Sequence, residues 1–79
     1  MHKVYVGVNA EFSPEGIMVP LSFVWDNGRR YEVDRLLHVC EAPSLKAGGC
    51  GTRYTIRVRG KEAYLWFDFC EKRWFMEGK

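Results

Sequence analysis

Apolar side chains recur at every second position on both sides of Gly60. Tyr54, Ile56 and Val58 interleave with Arg53, Thr55, Arg57 and Arg59, and Ala63, Leu65 and Phe67 interleave with Glu62, Tyr64, Trp66 and Asp68. A period of two sends successive side chains to opposite faces, which suits a half-buried strand and no helix. Gly60-Lys61 fits a two-residue type II′ turn, with glycine at the first central position. That register opposes Val58 to Ala63, Ile56 to Leu65 and Tyr54 to Phe67 on the inner face. Outside, it opposes Arg59 to Glu62, Arg57 to Tyr64, Thr55 to Trp66 and Arg53 to Asp68. Every inner pair is apolar, and two outer pairs are opposite charges.

The rest of the chain repeats the pattern in shorter runs. Val4, Val6 and Val8 alternate with Lys3, Tyr5 and Gly7. Ser13-Pro14-Glu15-Gly16 is a turn, because Pro14 presets φ and Gly16 permits a positive φ. Ile17, Val19, Leu21, Phe23 and Trp25 then form an odd-numbered apolar row, with Pro20 marking an edge or a bulge. At Asp26-Asn27-Gly28, a two-residue loop would set Phe23 opposite Glu32 and scramble the faces. A three-residue loop with Gly28 at the left-handed position pairs Phe23 with Tyr31 and Leu21 with Val33, and is preferred. The alternation breaks at Asp34-Arg35-Leu36-Leu37, where a bulge would re-aim the strand. A last turn at Glu71-Lys72 sets Phe69 against Trp74 and Phe67 against Met76.

These runs make about six strands in one domain spanning residues 1–79, with one longer connection at 41–51. A single helical turn fits only at 43–47, ended by Gly48-Gly49. A chain of this length hides only about 60–65% of its unfolded surface, so its core must be dense. Its twelve aromatic residues supply the bulk. The expected fold is all-β, a small antiparallel barrel or rolled sheet.

The segment 23–33, Phe-Val-Trp-Asp-Asn-Gly-Arg-Arg-Tyr-Glu-Val, resembles a pattern in small bacterial β domains of unknown function. The shared features are the aromatic before the turn, the Gly-Arg after it and the Tyr-x-Val strand. The resemblance implies an SH3-like barrel in a bacterium and implies no activity.

The net charge of +2 defines no class of partner, since strong nucleic-acid binders carry a clear basic excess. No run approaches the roughly 20 apolar residues of a membrane span, and the N-terminal residues lack the apolar core of a signal peptide. Cys40, Cys50 and Cys70 are an odd count, which fits reduced thiols, no disulfide and a cytoplasmic setting.

Chemistry finds little support. His38, Cys40, Cys50 and Cys70 could ligate zinc, but no C-x₂-C knuckle preorganises a pair, so neither metal nor other cofactor is expected. Cys50 among Gly48, Gly49 and Gly51 could expose a thiolate, yet only His2 and His38 exist as bases and neither is well placed. The same glycines precede no helix with a Lys-Ser/Thr pair, so they make no phosphate loop. Glu62, Asp68, Glu71 and Glu77 sit beside basic residues, which argues against a raised catalytic acid. The expectation is a protein that is not an enzyme.

What remains is a face. Arg53, Arg57 and Arg59 project outward beside Tyr64 and Trp66, and single-stranded nucleic acid is held by guanidinium on phosphate and rings on bases. The alternative is a solvated face laced by the pairs Arg59–Glu62, Arg53–Asp68 and Arg57–Tyr64. Trp66 resists it, since a large ring on an outer face needs cover from the 41–51 loop, a nucleic acid or a protein. Two partner classes therefore compete: nucleic acid on this face, or a protein at an uncovered strand edge or aromatic groove.

Overall fold

The computed structural model describes residues 2–41 and 51–78; the helical turn expected at 43–47 and the Cys50 glycine loop lie outside the described residues. The described chain forms seven strands: β1 (His2–Phe12), β2 (Met18–Val24), β3 (Arg30–Glu32), β4 (Arg35–Glu41), β5 (Gly51–Val58), β6 (Lys61–Asp68) and β7 (Arg73–Gly78). They make one antiparallel sheet in the order β3-β2-β1-β7-β6-β5-β4. The fold is all-β, as its period-two runs dictate.

The two outermost strands, β3 and β4, are consecutive in the chain and joined by Val33 and Asp34 alone. The Val33 amide donates to the Leu21 carbonyl of β2 at 2.9 Å, and the Asp34 amide donates to the Arg57 carbonyl of β5 at 2.8 Å. One dipeptide is thus tied to both ends of the sheet, so the sheet must curl on itself into a roll. This break at Val33-Asp34 is also why seven strands appear where about six are expected.

The three-residue turns fold as their glycines require. Gly28 has φ +84°, Phe23 registers with Tyr31, and the Trp25 amide donates to the Arg29 carbonyl at 2.9 Å. The Asn27 side-chain oxygen accepts the Arg29 amide at 2.9 Å, which fixes the loop further. Ser13 and Ile17 flank the same kind of turn around Gly16. The expected bulges also form. Asn9 registers with Ser22 and Ala10 with Pro20, so Leu21 is the extra residue. Pro20 is thereby buried and Leu21 exposed, which overturns the continuous odd-numbered row. In β4, Leu37 is extra between Leu36 and His38.

Two registers differ from expectation, each by two residues. In the β5–β6 hairpin Val58 opposes Lys61, Ile56 opposes Ala63, Tyr54 opposes Leu65 and Arg53 opposes Trp66. The turn is Arg59-Gly60 with φ of +53° and +77°, the pattern of a type I′ turn, whose twist matches that of the flanking strands. In the β6–β7 hairpin Phe67 opposes Trp74 and Asp68 opposes Arg73, and Phe69 sits exposed in the turn. There the Asp68 carboxylate accepts the Cys70 amide at 2.9 Å and the Glu71 amide at 3.1 Å. A shift of two leaves every side chain on its original face.

The inner face therefore packs as expected. Ile56 and Leu65 are fully buried, with Val4, Val6, Phe23, Tyr54 and Met76 around them. Trp74 lies 4.9 Å from Phe67 and 5.3 Å from Tyr54, ring centre to ring centre. Burial raises the Tyr54 hydroxyl above its ordinary pKa.

Candidate functional site

The pairing of β1 with β7 brings the two ends of the chain together and sets Tyr5 opposite Phe75. Phe75 in turn registers with Trp66, and Trp66 with Arg53. These four residues form one cross-strand row on the outer face, from β1 through β7 and β6 to β5.

The row is a ladder of rings and cations. The Trp66 and Phe75 rings are stacked with their planes nearly parallel, 3° apart, and their centres separated by 6.0 Å. Tyr5 meets Phe75 edge to face at 6.2 Å. The Arg53 guanidinium lies 4.8 Å from the Tyr64 ring centre and 5.8 Å from that of Trp66. Lys3 Nζ stands 4.8 Å over Phe75, and the Arg73 guanidinium 3.5 Å over Tyr5. Such contacts contribute roughly 0.5–1 kcal/mol each when exposed and more when desolvated.

Cover for Trp66 is thus partly internal. It is only 8% exposed, so its ring supports the face and presents no open surface to a base. Tyr64, by contrast, is 51% exposed. Arg53 is half-buried and Arg57 exposed. The buried side-chain nitrogens without an acceptor among the described residues are Arg53 Nε and Trp66 Nε1, on directly opposed residues.

The charge pairing also differs from expectation. Asp68 opposes Arg73 and caps its own turn, so it does not neutralise Arg53. Arg57 opposes Glu62 on one side and Arg35 on the other, rather than Tyr64. Arg59 leaves the face altogether: the turn carries its guanidinium to within 5.4 Å of the Tyr31 ring centre. Among the described residues the ion pair is Arg30 with Glu32, at 2.9 Å. Among the described residues no carboxylate forms an ion pair with Lys3, Arg53 or Arg73.

Arg53 therefore contacts both Tyr64 and Trp66, Arg57 lies farther along the same face, and Arg59 does not belong to it. Sequence reasoning missed Lys3, Tyr5, Arg73 and Phe75. Their signal was the alternation of Lys3-Val4-Tyr5-Val6 and Arg73-Trp74-Phe75-Met76, readable only once β1 and β7 are known to pair.

No protein-family model, curated protein or solved structure matches the chain. The site's own geometry carries its reading.

Two features lie apart from the ladder. The β6–β7 pairing stops at Trp66–Phe75, and among the described residues, 61–65 have no ladder partner on the β7 side. A cleft of about 360 Å³ opens there between Ala63, Tyr64, Met76 and Glu77. The expectation of three reduced thiols is corrected: Cys70 is disulfide-bonded, while Cys40 is free and half-buried. The thiol count thereby loses its bearing on compartment. Among the described residues no three of His, Cys, Asp and Glu form a group able to hold a metal ion. Among the described residues no helix is long and apolar enough to cross a membrane.

Proposed function

We propose that the protein is a non-catalytic binding module that takes single-stranded nucleic acid on the outer face of β5 and β6. The observation that carries this reading is Arg53, held between Tyr64 and Trp66 with no carboxylate paired to it among the described residues. A guanidinium fixed by rings keeps its charge and donors for phosphate oxygens, while the exposed Tyr64 ring offers a stacking surface. Arg57, and Arg73 and Lys3 at the far end of the ladder, extend the positive strip along which a backbone could run. Trp66 acts as the floor that holds Arg53 and Phe75 in place. With a net charge of only +2, affinity is weak and falls with salt.

Titration of an unstructured oligonucleotide at low and moderate salt tests this. Binding at low salt should weaken steeply as salt rises, and Tyr64→Ala should remove roughly 1–3 kcal/mol of affinity. No binding at low salt, where screening is least, would discard the reading. The end of the β6–β7 pairing at Trp66–Phe75 favours the second: a protein partner whose extended segment pairs with the free edge of residues 61–65. Binding of a peptide at that cleft without salt dependence would promote it.

A further inference from the structure

Arg59 occupies a position that suits arginine poorly. It is the first central residue of the β5–β6 turn, at φ +53°, where asparagine, aspartate or glycine fits with far less strain. Backbone strain that the turn does not require points to another use of the side chain.

The side chain shows where to look. The Arg59 guanidinium carbon lies 5.4 Å from the centre of the Tyr31 ring, and that of Arg29 lies at the same distance. Phe23 stacks on Tyr31 with ring centres 5.4 Å apart and planes 21° apart, which occupies one face of the ring. Both cations approach this same ring. Two guanidiniums gathered at one ring repel each other. The nearby acid does not relieve them, because Glu32 is engaged by Arg30, and no described carboxylate pairs with either.

We propose that Arg29 and Arg59, seated on Tyr31 where β3 meets the β5–β6 turn, form a clamp for a phosphate-class oxyanion. Two planar guanidiniums on a common ring can each donate a pair of N–H groups to one phosphate, and the anion offsets their repulsion. Tyr31 sets their spacing, and its stacking on the buried Phe23 fixes the ring. The clamp shares no residue with the Arg53–Tyr64–Trp66 ladder and stands whether or not that ladder binds nucleic acid. A free phosphate or monoester and the diester of a nucleic-acid backbone present the same chemistry.

The test follows the Nε–Hε signals of the arginines in the full chain at low ionic strength, with inorganic phosphate and a dinucleotide titrated separately. Saturable shifts of Arg29 and Arg59 that titrate together are expected. Saturation by phosphate assigns a free phosphate or monoester, and saturation by the dinucleotide alone assigns a diester. Arg59→Asn should weaken the apparent affinity by about ten-fold or more, yet melt no lower than the parent, since it creates a favoured Asn-Gly turn. Arg35→Ala, an exposed change outside both sites, should leave the clamp signals unchanged. A uniform, unsaturated drift of all arginine signals with both probes, or full retention of saturation in Arg59→Asn, would overturn the clamp.

Discussion

Leu65 and Trp66 are neighbours in β6, point to opposite faces of the sheet, and are both buried. Their surroundings differ in kind. Leu65 sits in an aliphatic and aromatic core whose members need only be apolar and of suitable size. Trp66 sits in a single layer of rings capped by cations: Phe75 beside it, Arg53 across from it, Lys3 and Arg73 farther along. The inner face is closed by the curl of the sheet, whereas the outer face is closed by side chains that keep their charge. Burial thus serves stability on one face, and on the other it positions groups that still have donors to offer.

Paired substitutions break or sharpen this contrast. The largest effects fall on the neighbours themselves: Trp66→Ala should cost about 3–5 kcal/mol and Leu65→Ala about 2–5 kcal/mol in urea unfolding. Against a total of roughly 4–12 kcal/mol for a chain of this size, either variant is close to unfolding. If Trp66→Ala costs under about 1 kcal/mol, as an ordinary surface change does, the outer face is not packed and the ladder account fails.

A smaller difference separates the two arginines of β5. Arg53→Ala removes two ring contacts and should cost about 0.5–2 kcal/mol. Arg57→Ala, exposed and without a ring, should change stability by no more than about 0.5 kcal/mol. Equal costs in thermal melts would mean that the rings do not hold Arg53.

The smallest effect is a pH dependence confined to the inner face. Burial raises the Tyr54 pKa above its ordinary 10.0, so the unfolded chain loses that proton first. The stability linked to the neutral hydroxyl is whole below the unfolded value and is lost as pH rises through the folded one. Tyr54→Phe should flatten this alkaline fall, measured between about pH 9 and pH 11. An unchanged slope would place the titration elsewhere.

What was legible in the sequence was parity. Which side chains of β5 and β6 face inward follows from alternation alone, and Ile56 and Leu65 are buried accordingly. Register was not legible there, because a slip of two residues preserves parity and Gly60-Lys61 and Arg59-Gly60 each close a two-residue hairpin. At Gly28 the competing loops differ by one residue and would exchange the faces, so the pattern could decide, and it decided correctly. The site was half legible for the same reason. Arg53, Tyr64 and Trp66 share a local hairpin, but Tyr5 and Phe75 reach them only through the pairing of the chain's two ends, which no local signal announces. Arg59 was misplaced because its direction depends on the turn and not on the strand.

The central claim, that the outer face of β5 and β6 is a nucleic-acid surface, is tested most directly by amide shift mapping with an unstructured oligonucleotide at low salt. The account predicts saturable shifts at Arg53, Thr55, Arg57 and Tyr64 that shrink as salt is added, with Ile56 and Leu65 little changed. Flat signals across residues 53–66, or shifts confined to the 61–65 and 76–78 edges on adding a peptide, would contradict it.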